Sequence, residues 1–261
     1  MRSLQLITFL FLFGLPIAAQ PERVAASDFD RLVRRGVERV ESGPHRHTWK
    51  VESSPNPVIG SVEVDSRRSL RVWHLDVRSR VESECIVIGV RMYHRSADYP
   101  WISQTRDEFK EGQNALHAIM KETRRADPDA FLRARARTVG NPAIFHAVMN
   151  PKTVVLLYSV VGSGLKSTVT FVGSRPHKGK PARFYRLEWD NFGVEPKAPN
   201  AIATRGSIVF AFDSETGAIL SAEKHSEWIS DSKLKSSSTT DEWEIDPSIV
   251  VNPPATWSEK K

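Results

Sequence analysis

The chain has 261 residues, a formal net charge of +6 and 40% hydrophobic residues. That hydrophobic content excludes a wholly disordered protein, and the length suits one large β domain or two small ones. The single cysteine, Cys85, excludes an internal disulfide, so the hydrophobic core must stabilise the fold alone. Cys85 begins an apolar run and is predicted to be a buried thiol.

The first 20 residues have the layout of a secretory signal peptide. Arg2 precedes an apolar run from Leu4 to Leu15, and the small pair Ala18-Ala19 follows. The run has about 12 residues, whereas a membrane-spanning helix needs roughly 20. The sequence predicts cleavage after Ala19 or Gln20 and a soluble protein that is periplasmic or secreted. A retained membrane anchor is the alternative.

Residues 28–41 are predicted to form an amphipathic helix. Ser27 is a helix-capping residue type, and Asp28 and Asp30 place negative charge at the positive end of the helix dipole. Ser42-Gly43-Pro44 would end the helix. The apolar positions recur at helical spacing: Phe29, Leu32, Val33, Val37 and Val40.

From residue 47 to residue 95 the apolar period changes to two. Alternation in Trp49 to Val51, Val62 to Val64 and Trp73 to Val77 predicts strands of an antiparallel sheet with one covered face. Strands are predicted to resume at 154–158, 168–172, 184–189 and 208–212, and a turn at 213–217 leads into a returning strand.

Two segments interrupt this pattern. A helical insert is predicted at about 105–150, and Thr105 and Glu108 fit a capping box at its start. Residues 124–137 of the insert are rich in arginine, which indicates either a solvated helix face or a basic rim that attracts anionic head groups. The serine-rich and charged residues 230–240 are predicted to form a mobile loop. Residues 21–261 are expected to form a single domain.

The chain contains no diagnostic catalytic or metal-binding motif. It lacks the Gly-x-Ser-x-Gly pattern of many hydrolases. His45 and His47 could bind a metal from one strand face, but no third ligand is suitably spaced, so we expect neither a metal nor a cofactor. Nucleic acid is not an expected partner of an exported protein. The sequence does not specify the oligomeric state.

The order of elements resembles the periplasmic lipoprotein-carrier superfamily, the LolA, LolB and LppX-like fold. The resemblance rests on the helix at 28–41, the strands at 47–95, the insert at 105–150 and the returning strands. Local similarities are the stretch from Ile86 to Arg95 followed by Trp101, and the stretch from Val209 to Leu220. It implies a mainly β, α+β fold, in which a strongly curved open sheet has helices on its concave face.

The resemblance also implies binding without chemistry: a carrier or sensor with a hydrophobic or lipid-like ligand between sheet and helices. An anionic membrane surface is a second expected partner. The alternatives are an envelope adaptor or structural protein with a filled core, which would use residues 230–240 or the Pro253-Pro254 tail, and an envelope-polymer hydrolase. The expected ligand-binding residues are Trp49, Val51, Trp73, Leu75, Phe109, Leu116, Ile119, Met120, Tyr158, Phe171, Phe210 and Phe212.

Overall fold

A computed structural model gives the architecture of the protein as one long, curved and unclosed sheet of 13 strands with a helix on its concave face. The structure describes residues 22–52, 57–78, 80–96, 99–105, 107–108, 111, 167–190, 204–230 and 233–259.

The strands run mostly antiparallel, in the spatial order β1-β8-β9-β10-β11-β12-β2-β3-β4-β5-β6-β7-β13, and only the β7–β13 pair is parallel. The elements are β1 (Glu22–Val24), α1 (Ala26–Glu41), β2 (His45–Val51), β3 (Val58–Val64), β4 (Leu70–Asp76), β5 (Val81–Ile88), β6 (Arg91–Ser96), β7 (Ile102–Thr105), β8 (Ser167–His177), β9 (Lys180–Asp190), β10 (Thr204–Asp213), β11 (Ile219–Ser230), β12 (Lys233–Ile245) and β13 (Ser258–Glu259).

Strand β12 joins the two halves of the sheet and lies where the sequence predicted a loop. It pairs with β11 on one side and with β2 on the other. The expected mobile loop at about 230–240 is therefore a strand from residue 233 onward. Its serine and lysine content was misleading because strand propensity depends strongly on the neighbouring strands. Here residues 233–238 pair with β11, and from Thr239 onward β12 also pairs with β2.

Helix α1 covers the concave face of β8 to β12. Phe29, Val33 and Val40 are buried against Phe210 and Phe212 in the largest core cluster. The helix starts two residues earlier than predicted. Its N-cap is Ala25, whose carbonyl oxygen accepts from the amides of Asp28 and Phe29, and not the expected Ser27. The predicted stop is confirmed, since Ser42 is the C-cap.

The C-terminal tail packs on the convex face of β5 and β6. Ile249 and Val251 form a cluster there with Ile86 and Tyr93. Asp65 anchors the tail: the Val251 amide donates to its Oδ2 at 3.3 Å. Burial opposes ionisation of Asp65, yet hydrogen bonds from Ser69, Arg67 and Val251 lower its pKa overall. The tail that the adaptor alternative would use is therefore bound along the sheet up to this point.

An ion-pair ladder crosses the convex face of five adjacent strands. Arg46 lies 2.8 Å from Glu63, and Arg71 lies within 4.0 Å of both Glu63 and Glu84. Arg95 continues the series at 3.0 Å from Glu84. Because the arginines are partly exposed, each pair contributes little to stability. The alternation of sign instead favours one strand register over its neighbours.

Several other predictions are confirmed by the described residues. Cys85 is buried. The turn at 213–217 forms, with the Gly217 amide donating to Asp213 at 2.8 Å. In the predicted capping box, the Thr105 amide donates to the Glu108 carboxylate at 2.6 Å and the Glu108 amide donates to Thr105 Oγ1 at 3.2 Å. The rest of the insert, including the basic segment 124–137, and the expected strand at 154–158 lie outside the described residues.

Candidate ligand site on the concave face

Residues that are directly opposite across a strand pair project from the same face of the sheet. The registers therefore define rows of side chains across the concave face. We call one of them the lysine row: Val58, Val51, Thr239, Lys224, Ile208, Leu187 and Val169. The neighbouring row, which we call the aspartate row, comprises His74, Gly60, Trp49, Asp241, Ala222, Phe210, Tyr185 and Phe171.

The two ends of the lysine row differ in burial. Ile208, Leu187 and Val169 are at most 3% exposed and belong to the core beneath α1. Val58, Val51, Thr239 and Lys224 are half-buried, as is Trp228, which lies two rows further along β11. The half-buried part of the lysine row thus places Lys224 beside Thr239, Val51 and Val58. Past Val58 the same register leads to the half-buried Asp76, four strands away from Lys224.

The Lys224 ammonium is unusual for its position. Burial lowers its pKa from the ordinary value, and desolvation is the one cause of the shift. In the described part of the chain no carboxylate lies within ion-pair distance of it. An amine that loses hydration without gaining a counter-ion costs free energy of folding. A bound anion would recover that cost.

Trp49 lies in the aspartate row, pressed against strand β3. A Cβ atom at Gly60 would lie only 2.1 Å from Cζ2 of the Trp49 indole. The absence of a side chain at Gly60 therefore allows the indole to lie flat over the β3 backbone. The ring also lies 5.5 Å from the His47 ring, centroid to centroid. This packing holds Trp49 on the concave face, next to Val51.

A buried acid–base pair lies between the two halves of the sheet. His47 Nε2 and Asp241 Oδ1 are 2.8 Å apart, and both residues are at most 5% exposed. The His47 ring stacks on Trp243 at 4.7 Å, nearly parallel. Burial raises the pKa of the Asp241 carboxyl, and the hydrogen bond to His47 partly opposes the rise. The other carboxylate oxygen, Oδ2, is buried without a hydrogen-bond partner.

The chemistry available to this pair is limited. No serine, threonine or cysteine side chain hydrogen-bonds the His47 ring in the ranges that the structure describes, so the three-residue relay of a serine or cysteine hydrolase is not seen there. No group of three or more possible metal ligands occurs among those residues either. His45 lies on the same strand face as His47, but its Nδ1 is 2.9 Å from the Gly43 carbonyl oxygen.

The structure places the predicted ligand-binding residues in different environments. Trp49 and Val51 lie on the half-buried part of the concave face. Phe171 is on the same face at its outer end and contacts Tyr185, with ring centroids 5.3 Å apart. Phe210 and Phe212 are completely covered by α1 and contact each other and Phe29.

Trp73 and Leu75 do not join the other predicted residues. They pair with Glu84 and Glu82, and the Trp73 indole donates to Glu82 at 2.8 Å on the convex face. On β4 the concave positions are Leu70, Val72 and His74. The sequence analysis had assigned the alternate residues, Trp73 and Leu75, to the concave face, and that assignment was wrong. Phe109, Leu116, Ile119, Met120 and Tyr158 lie outside the described residues.

Sequence reasoning missed Lys224 and Asp241. Both occur in stretches where charged residues alternate with small or hydroxyl residues, which is typical of exposed strand faces. The burial of Asp241 depends on pairing with β2, which is remote in sequence and places Asp241 opposite Trp49. Lys224 pairs with the two strands that adjoin β11 in sequence, and its position on the concave face follows from their register. His47 was noticed as a metal-ligand candidate, and its spacing to His45 correctly indicated a shared strand face.

Two surface depressions lie on the convex face, away from both rows. A trough of about 590 Å³ is lined mainly by Glu188, Asp190, Arg205, His225 and Glu227. A groove of about 370 Å³ lies between Arg46, Glu242, His177, Lys178 and Lys180. Several charged side chains line each depression, which disfavours an alkyl chain there. No helix of the described residues is long and apolar enough to cross a membrane.

Comparisons with known proteins gave matches among solved structures. LprF from Mycobacterium bovis matches with a TM-score of 0.42 and 10% identity, over 90% of this chain and 98% of LprF. MucB in the Pseudomonas aeruginosa MucA/MucB complex matches with a TM-score of 0.31 and 13% identity, over 83% of this chain and 55% of MucB. The chain thus spans less than two thirds of the length of MucB. No family model and no curated protein matches the chain.

Proposed function

We propose that the protein is an exported binding protein for a lipid-like ligand with an acidic head group, held on the half-buried part of the concave face. The alkyl chain lies against Trp49, Val51 and Val58, and the head group pairs with Lys224. The observation that carries the proposal is the partly desolvated Lys224 ammonium, without a counter-ion among the described residues, in a row that continues through Thr239 to the apolar Val51 and Val58.

The apolar neighbours of Lys224 support a chain-like ligand. Thr239 and Val51 continue the lysine row toward Val58 across successive strands, and Trp49 lies beside Val51 in the next row. Strands are spaced about 4.8 Å apart, so the path from Lys224 to Val58 crosses three strand spacings, roughly 14 Å. An extended alkyl chain of about a dozen carbons covers that distance and gains about 0.8 kcal/mol for each fully buried methylene.

The head group accounts for the selectivity of the proposed site. Burial removes water from the Lys224 ammonium, and an acidic group next to it would replace the lost hydration with an ion pair. Hydrogen bonds to charged groups contribute about 1.5–3 kcal/mol when partly buried, which corresponds to an affinity preference of roughly 10- to 100-fold. A neutral analogue with the same chain would keep the apolar contacts and lose this preference.

A displacement assay tests the proposal. The protein is titrated with a fluorescent fatty acid, and the probe is displaced with palmitate or with cetyl alcohol, which has the same chain length and no charge. We expect palmitate to displace the probe at roughly 10- to 100-fold lower concentration than the alcohol. Lys224→Met should remove the difference, and Lys233→Met, which alters an exposed lysine of β12, should preserve it.

Two outcomes would contradict the proposal. Equal displacement by acid and alcohol in the wild-type protein would exclude a role for Lys224 in head-group binding. No saturable probe binding would favour the adaptor alternative instead, which the filled core around Phe210 and Phe212 supports. Circular dichroism of both variants separates loss of binding from loss of fold.

A further inference from the structure

The β8–β9 hairpin is the most basic segment of the described chain. Residues 174–187 contain five lysines and arginines and no aspartate or glutamate. Their formal charge of +5 compares with +6 for the whole chain. The function proposed above does not involve the cations of this segment. The turn at Lys178-Gly179 lies at the opposite end of the strands from Lys224, and Leu187, which shares the lysine row, is buried beneath α1.

The geometry of the hairpin is fixed by its turn. Lys178 and Gly179 both have positive φ angles, 48° and 83°, as a two-residue type I′ turn requires. Pro176 and Pro181 face each other on the flanking strands and restrict the backbone further. Lys178 is bound to Glu242 of β12, which ties the hairpin tip to the centre of the sheet. The cations are therefore carried on a defined backbone.

Three of the cations share one face, and the only carboxylate that one of them affects among the described residues is Asp213, whose pKa the Lys180 charge helps to lower. The register places Arg175, Lys180 and Arg186 on the convex face together with Phe184. The Arg175 guanidinium lies 4.1 Å from the centre of the Phe184 ring, so it covers an apolar side chain while it stays exposed. None of the three has a carboxylate within ion-pair distance in the part of the chain that the structure describes. We call these three residues the basic patch.

Charge is segregated along the same strands. The basic patch extends from Lys180 at the start of β9 to Arg186, and the convex trough that begins beyond it carries Glu188, Asp190 and Glu227. Arg205, which pairs with Glu227, neutralises only part of that acidic end. Near a negatively charged surface, such a distribution attracts one end of the sheet and repels the other. It therefore favours a single orientation.

We propose that the basic patch docks the protein on the surface of an anionic lipid bilayer. An extended negative surface can engage all three cations at once, because phosphate groups are abundant there and lateral motion of the lipids adjusts their positions. Lys180 also lines the convex groove beside Lys178, but Arg175 and Arg186 lie outside that groove, so a small anion bound there would not contact all three cations. Docking by the patch directs Lys224 and the half-buried concave residues away from the bilayer, so docking and ligand binding are independent.

Vesicle co-sedimentation tests this proposal. The purified protein is mixed with vesicles of phosphatidylcholine alone or with one quarter phosphatidylglycerol, at low and high salt. We expect binding only to the anionic vesicles, with a strong decrease at high salt because the interaction is electrostatic. Each lysine or arginine near such a surface contributes about 1 kcal/mol, so the triple variant Arg175→Gln/Lys180→Gln/Arg186→Gln should bind on the order of a hundredfold more weakly.

Matched variants distinguish the patch from net charge. Arg31→Gln/Arg35→Gln/Lys233→Gln removes three exposed cations elsewhere and should retain most of the binding. Arg175→Lys/Arg186→Lys keeps the charge and should bind as the wild type does. Equal losses in the two triple variants, or binding to neutral vesicles, would overturn the proposal. So would selective capture by an acidic protein without any vesicle binding. A change in fatty-acid affinity is not expected in any of these variants.

Discussion

The contact between Gly60 and Trp49 allows a direct test of the concave face. In Gly60→Ala the new Cβ would lie 2.1, 2.4 and 2.8 Å from three atoms of the indole. Carbon atoms in ordinary contact are about 3.5–4.0 Å apart, so the ring must move by roughly 1.5 Å. Forcing extra volume into a packed site costs about 1–3 kcal/mol, and replacing a strand glycine recovers about 0.5–1 kcal/mol. We therefore expect a net loss of about 1–2 kcal/mol.

Urea denaturation measures this loss, and two controls define its origin. Gly43→Ala adds a methyl group where no atom lies within 4 Å and should not lower the midpoint. In a Trp49→Leu background, Gly60→Ala should become neutral or stabilising, because the clash partner is gone. The displaced indole should also weaken fatty-acid binding, since it moves over Val51. An unchanged midpoint for Gly60→Ala in the wild-type background would refute the reasoning.

Two further predictions concern stability. Phe29→Ala should lower the free energy of unfolding, measured by urea denaturation, by about 3–5 kcal/mol. The reason is that Phe29 is 2% exposed and its ring centre lies 5.3 Å from that of Phe210. A loss below about 1 kcal/mol would contradict the packing of α1. Burial lowers the pKa of His45 and of His74, so the unfolded chain takes up protons first and stability should fall from pH 7.5 to pH 5.5. The raised pKa of Asp241 has the opposite effect, because protonation of its carboxyl favours the folded protein as the pH falls. We expect the histidine effect to dominate, so His74→Gln should make stability less dependent on pH.

Local sequence patterns predicted the elements whose exposure is set by their own residues. The amphipathic helix, the alternating strands β2 and β3, and the turn at 213–217 all have periodic or turn-specific signals. The face of β4 was not predictable in the same way, because Val72 and Trp73 are both large and apolar. Its phase is decided by pairing with Val62 and Cys85, which no local pattern encodes.

The candidate site was predictable only in part for the same reason. Trp49 and Val51 were recognised because they alternate with charged residues on one strand. Asp241 is buried by pairing with β2, which lies far away in sequence. Lys224 is covered by the two hairpin neighbours of β11, and the face on which it lies depends on their register. The sequence analysis named 124–137 as the basic segment and did not single out the cations of residues 174–187, although that run contains no acidic residue. Their common face with Phe184 required the strand register, including the bulge near Gly173.

The position of β12 in the middle of the sheet determines when the fold can be completed. Strand β2 is made early and pairs with β12, whose residues come almost 200 positions later: His47 lies opposite Trp243. Until the ribosome has released residues 233–245, β2 and β11 are both open sheet edges with unpaired amides and carbonyls. Such long-range pairing makes folding slow. Loss of the C-terminal 30 residues would therefore leave two separate half-sheets that are prone to edge-to-edge association.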